Sequence, residues 1–227
     1  MGQIAARWVA REILRCPAGV FGLPTGSTPI GMYHVLVRMV QEGLISFAQA
    51  TTFNLDEYVG LNTAHQQSYA AFMREHFWSR VDLSEESTHI PCGTALDLRA
   101  ECARYDEKLD KAGGIDVQIL GLGLNGHIGF NEPTHDLQIR THVVDLTPET
   151  IEANARFFKD VNLVPRQALT MGIGSIMQSG KILLMVSGEQ KKEILNKTLF
   201  GPVSTEVPAS ILQLHPQLTV LTDIQLN

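Results

Sequence analysis

Apolar residues along this chain follow two spacings. Short apolar runs occur at Val20–Leu23, Val117–Leu120, Ile182–Val186 and Leu218–Leu221. Such near-continuous runs are the pattern of strands buried on both faces. Between them, apolar residues recur three or four apart, the spacing of a helix with one buried stripe. Ile30, Tyr33, Leu36, Val37 and Val40 make the first stripe, and Pro29 suits its first turn, where no N–H is needed. Thr51–Leu55 reads as a strand, and Tyr69, Phe72, Met73, His76 and Phe77 as the next helical stripe. Leu98, Cys102, Tyr105, Leu109 and Ala112 make another, stopped by Gly113 and Gly114. This alternation predicts one α/β domain over residues 1–227. Its expected form is a three-layer Rossmann-like fold, a mostly parallel sheet flanked by helices.

One stretch breaks the rhythm. From Asn131 to about Pro165 the chain is polar, with Pro133 and Pro148 inside it and a helical patch around Thr147 to Phe158. An insertion of that length in a compact α/β domain is expected to be a lid or binding loop, at 131–165.

Composition narrows the partners. Hydrophobic residues are 44% and charged residues 19% of 227, which fits a single globular domain. Eighteen Lys and Arg against 24 Asp and Glu give a net charge of -6, which argues against nucleic acid and against an anionic membrane. An anion site in such a chain must concentrate a few well-placed cations. Cys16, Cys92 and Cys102 form no close pair, so reduced thiols and a cytoplasmic location are expected. The N-terminus lacks a signal-peptide h-region, and no run approaches the ~18 apolar residues of a membrane helix. There is no His-Glu-x-x-His, Cys/His cluster, calcium-loop spacing or nucleotide P-loop, so no metal site is expected.

Ligands of open α/β sheets bind beyond the carboxyl ends of the strands, so the segments after each strand carry the candidate chemistry. Thr25-Gly-Ser-Thr-Pro29 opens onto a helix, where free N–H groups and hydroxyls suit a phosphate, or else simply cap the helix. Asp56 and Glu57 follow the second strand, where a general base would sit; two solvated loop acids are the plainer reading. Gly121-Leu-Gly-Leu-Asn-Gly126 matches the dinucleotide fingerprint, but the His127-Ile-Gly-Phe-Asn-Glu-Pro133 that follows cannot open a helix. The glycines instead let backbone approach a ligand closely. His127 and Glu132, five apart in a non-helical stretch, can meet as an imidazole–carboxylate pair suited to proton transfer. Lys191, in a first helical turn that the helix dipole disfavours for a cation, hints at an anion between lysine and turn.

Together these segments resemble the glucosamine-6-phosphate deaminase family. The resemblance rests on Thr25–Pro29, Phe53–Gly60, Gly126–Pro133, Ala153–Phe157, Ala168–Gly172, Ser187–Lys191 and Leu212–Pro216, in the family's order and over nearly the whole chain. It implies conversion of glucosamine 6-phosphate and water to fructose 6-phosphate and ammonia, with no metal or organic cofactor. It implies that Asp56 moves the proton between C2 and C1, and that His127 with Glu132 opens the sugar ring. Thr25, Gly26, Ser27, Arg156 and Lys191 are implied to hold the phosphate; Arg156 comes from the resemblance alone.

The chain departs from the pattern at several points. Asn125 stands where many members carry an aspartate, and an amide cannot take a proton there, so ring opening must lean on His127 and Glu132. His142 and Val144 occupy two basic positions of the allosterically activated hexameric members, and the chain stops soon after Leu221. No activation by N-acetylglucosamine 6-phosphate is therefore expected, and a monomer rather than a hexamer. Members usually begin with a strand, whereas Met1–Ile4 opens almost directly on a helix. Two alternatives stay open: the same chemistry on the 4-epimer, galactosamine 6-phosphate, and a catalytically silent sugar-phosphate sensor.

Overall fold

The computed structural model describes residues 1–158 and 160–226. In chain order the elements are α1 (Gly2–Arg15), β1 (Val20–Leu23), α2 (Ile30–Gln41), β2 (Thr51–Asn54), β3 (Asp56–Tyr58), α3 (Tyr69–His76), β4 (Thr88–His89), α4 (Leu98–Lys111) and β5 (Val117–Gly121). They continue with β6 (His142–Asp145), α5 (Pro148–Ala155), β7 (Gln167–Thr170), α6 (Ile173–Met177), β8 (Lys181–Val186), α7 (Lys192–Phe200) and β9 (Leu218–Thr222). Six strands form one sheet in the order β4-β2-β1-β5-β8-β9, and every pairing in it is parallel.

The continuous apolar runs are explained by where alternate residues go. Val117, Ile119, Leu183 and Met185 enter one core with Ala5, Val9 and Ile13 of α1 and Met32, Tyr33, Leu36 and Val37 of α2. Leu120, Ile182, Leu184 and Val186 enter a second core on the opposite face, with Tyr105 and Leu109 of α4, Ile176 of α6 and Leu195 of α7. Each strand thus satisfies two cores at once, because successive side chains point to opposite faces. Truncating a residue such as Leu184, fully buried there, to alanine costs about 2–5 kcal/mol.

Helix ends follow local chemistry. Asp97 caps α4 by accepting from the Arg99 and Ala100 amides, at 2.9 and 3.0 Å. Thr147 caps α5 by accepting from the Thr150 amide, with Pro148 in the first turn.

A second sheet, β3-β7-β6, is antiparallel, and the apolar pattern did not announce it. It changes two expectations. Asp56 and Glu57 are strand residues paired with Thr170 and Leu169 rather than loop acids, and both are buried. The polar stretch 131–165 is not one loop either. Its β6 pairs with β7 over four residues, while the turns before β6 and, after it, α5 with the turns beyond stand clear of a sheet. Lys159, inside that stretch, lies outside the described residues. A third, small core joins this region to the body: Tyr58, Phe130, Leu146, Ile151, Val164 and Ala168.

Candidate active site

A cleft of about 320 Å³ opens at the carboxyl edge of the parallel sheet. It is lined by the segments following β1, β5 and β8, by Asp56 of β3, and by α5. Asp56, His127, Thr25, Gly26, Ser27, Arg156 and Lys191 all line it. Asn125 and Glu132 are not on its wall; they hold His127 from behind.

Gly26 sits at φ +90°, a backbone conformation that few side chains tolerate, which lets the Thr25–Ser27 turn fold ahead of α2. The first-turn amides of that 12-residue helix and the hydroxyls of Thr25, Ser27 and Thr28 are suited to an oxyanion. Lys191 stands at the N-cap position of α7 without capping it, and its ammonium donates instead to the backbone carbonyl of Leu122. Burial, and Arg156 close by, hold its pKa below the usual lysine value. Two cations brought together in a partly buried place repel each other, and a bound anion relieves that repulsion. The Ser187–Gly188 turn is fixed by Asp223, which accepts from the Ser187 hydroxyl at 2.5 Å and the Gly188 amide at 3.1 Å.

Asp56 and Glu57 alternate off one strand into opposite surroundings. Glu57 accepts from the amides of Tyr58, Tyr69 and Ala70, each at 2.9 Å, and so serves the N-terminus of α3. Asp56 faces the cleft with 7% of its surface exposed. Burial, with the neighbouring Glu57 charge, pushes its pKa up to about 8. Its carboxylate is therefore a far stronger base than an aspartate in water.

The turn after β5 is non-helical, as the proline and extra glycine required. A Cβ on Gly123 would stand 2.4 Å from the His127 ring, so glycine lets the imidazole lie against the backbone. His127 Nδ1 is 3.3 Å from Glu132 Oε2, and the Asn125 amide donates to the same oxygen at 2.6 Å. Asn125 Oδ1 in turn accepts from the His127 backbone amide at 3.2 Å. Burial opposes ionisation of Glu132, but His127, the Thr150 hydroxyl and the Asn125 amide outweigh it and hold the carboxyl below its usual value.

Several cleft residues escaped the sequence reading. Tyr69 reads as a core position of a helical stripe, yet it lines the cleft and stacks on Phe130, centroids 5.9 Å apart. Thr150, Asn154 and Gln190 also line it. A threonine three residues after a helix-capping threonine is ordinary in sequence, and only the packing of α5 gives Thr150 a neighbour in Glu132. Among the described residues, no group of three or more His, Cys, Asp or Glu could hold a metal ion, and no helix is long and apolar enough to cross a membrane.

Fold and cleft together define a parallel α/β protein that presents a desolvated carboxylate, an imidazole–carboxylate pair and two cations to one small-molecule cleft. The chain belongs to the family described as glucosamine-6-phosphate isomerases/6-phosphogluconolactonase, whose model matches residues 5–221. It is 51% identical over 223 residues to a glucosamine-6-phosphate deaminase of Thermoanaerobacter pseudethanolicus, covering 98% of this chain and 88% of that one. The deaminase of Clostridioides difficile is 49% identical, with 98% and 90% covered. The solved structure of a monomeric glucosamine-6-phosphate deaminase superposes with a TM-score of 0.95 at 48% identity, covering 97% of this chain and 92% of that one. The 6-phosphogluconolactonase of Thermotoga maritima, at 19% identity and a TM-score of 0.73 over 96% and 94%, shares the fold.

Proposed function

We propose that this chain is a glucosamine-6-phosphate deaminase, converting glucosamine 6-phosphate and water to fructose 6-phosphate and ammonia. The observation that carries the reading is that Asp56, His127 and the Thr25–Ser27/Arg156/Lys191 group share one cleft. The names of relatives at about half identity support the substrate.

In this reading the phosphate is held by the Thr25, Gly26 and Ser27 turn and by Arg156 and Lys191. It lies away from the reacting carbons, so its binding energy positions C1 and C2. His127, oriented by Glu132 and Asn125, moves the proton that opens the ring. Asn125 donates to Glu132 and takes no proton itself. Asp56 then removes the C2 proton and returns it at C1 through an enolamine intermediate, and the C2 iminium so formed adds water and expels ammonia to leave the C2 ketone. Carbon acids need a strong base shielded from water, which is what burial makes of Asp56. The reading calls for no metal or organic cofactor. The lid narrows from 131–165 to α5 and the turns after it, which rest on the small third core. The chain acts as a cytoplasmic monomer, without activation by N-acetylglucosamine 6-phosphate.

The test is ammonia release and fructose 6-phosphate formation by the purified chain, run beside the 4-epimer. Glucosamine 6-phosphate is expected to win in kcat/KM by about tenfold or more, since a 4-hydroxyl matched by hydrogen bonds discriminates at least that well. A preference for the epimer would reassign the substrate. Calorimetric binding with no ammonia from either sugar would make the chain a sensor.

A further inference from the structure

Groups from two elements lower the pKa of Glu132. His127 and Asn125 come from the turn after β5, whereas the Thr150 hydroxyl comes from the first turn of α5. Thr150 is 4% exposed and lines the cleft. Its oxygen accepts from the Thr147 hydroxyl at 3.2 Å, and its backbone amide donates to the same Thr147 Oγ1 at 3.3 Å. A threonine hydroxyl has one proton, and with Thr147 occupying an acceptor site that proton is left for a neighbour. The Glu132 carboxylate is near enough for that hydroxyl to help lower its pKa, and its Oε1 is buried with no hydrogen-bond partner, an acceptor waiting for a donor.

The other end of the same helix carries Arg156, its C-cap, which also lines the cleft. α5 is eight residues, about 12 Å long. One short rigid element thus has a hydroxyl beside the unpartnered oxygen of the ring-opening carboxylate at its start and a cation of the anion site at its end. We propose that Thr150 is a positioning residue for the His127–Glu132 pair, and that α5 ties recognition of the sugar's phosphate at Arg156 to the orientation of that pair. Hydrogen bonds around a catalytic group characteristically tighten when substrate is bound, and a helix gripped at Arg156 provides the means here. The inference rests on the deaminase reading above.

Thr150→Val tests it, because valine keeps the shape and the backbone bond to Thr147 and removes only the hydroxyl. The probes are glucosamine 6-phosphate, which must open its ring, and the open-chain amino-alditol phosphate made by reducing its C1, which need not. Losing a hydrogen bond to a charged group predicts a fall in kcat of about tenfold or more. KM and the inhibition constant of the open-chain probe should stay within about twofold of wild type, with Thr150→Ser recovering most of the kcat. The proposal is overturned if Thr150→Val keeps kcat within twofold, if the open-chain probe binds correspondingly worse, or if serine fails to rescue. A wild-type chain that releases no ammonia would instead remove the underlying deaminase reading.

Discussion

Asp56 and Glu132 are both buried carboxylates serving one cleft, and their surroundings treat them oppositely. Asp56 is desolvated beside another acid, and no hydrogen bond opposes the rise of its pKa to about 8. Glu132 is as deeply buried, yet His127, Thr150 and Asn125 hold its pKa down. Pairs of titratable groups pushed apart in this way mark a division between acid and base roles. The first is a base kept strong by isolation. The second is a fixed negative charge that orients an imidazole. Burial alone does not decide which a carboxylate becomes; the donors around it do.

The sharpest way to break the contrast is to remove the isolated base. Asp56→Asn should lower kcat by about 10³-fold while leaving KM within a few-fold, because the phosphate contacts are untouched. The same assignment sets a pH profile. Proton abstraction needs the carboxylate, so kcat/KM should rise about tenfold per pH unit up to about pH 8 and then level. Glu57→Gln should move that limb to lower pH, since the Glu57 charge helps to raise Asp56. An acid limb near pH 4 would show that Asp56 titrates as an ordinary aspartate.

The second carboxylate should cost less. Glu132→Gln keeps the shape but removes the charge 3.3 Å from His127 Nδ1. A loss in kcat of about 10²-fold is expected, with little change in phosphate binding measured by calorimetry. A drop as large as that of Asp56→Asn would give Glu132 a direct part in proton transfer and erase the distinction drawn between them.

How much of this was legible in sequence follows from what each element must satisfy. β5, β8 and β9 announce themselves because residues feeding a core on each face leave a continuous apolar run. β3, β6 and β7 do not. They are three or four residues long, β6 is only half-buried, and Asp-Glu-Tyr has little of the composition that favours strands. Their pairing brings Asp56 to Thr170 across more than a hundred residues, which no local pattern encodes. The Thr25–Pro29 turn and the His127–Glu132 spacing were readable because a glycine before a helix and a five-residue separation are local facts. The burial of Asp56 was not readable, since it is imposed by the second sheet. Arg156 carried no local signal, and Thr150 acquires its neighbour only when α5 folds over the cleft.

The least dramatic prediction tests the burial of Asp56 without any substrate. A carboxyl with a pKa of about 8 folded, against an ordinary 3.8, keeps its proton in the native state after the unfolded chain has lost it. The unfolded state then binds fewer protons, so stability falls as pH rises. The contribution is whole below about pH 4, declines between about 4 and 8, and is gone above 8. Asp56→Asn cannot ionise and escapes this decline, while every other group titrates alike in both proteins. The difference in Tm, variant minus wild type, should therefore grow by about 3–5 °C per pH unit from about pH 5 to 8 and then stay level. The substitution that costs the most turnover thus gains heat resistance relative to the wild type as pH rises to neutrality. A difference that stays flat across that range would mean that Asp56 is solvated in the folded chain, and the strong base would have to be sought elsewhere in the cleft.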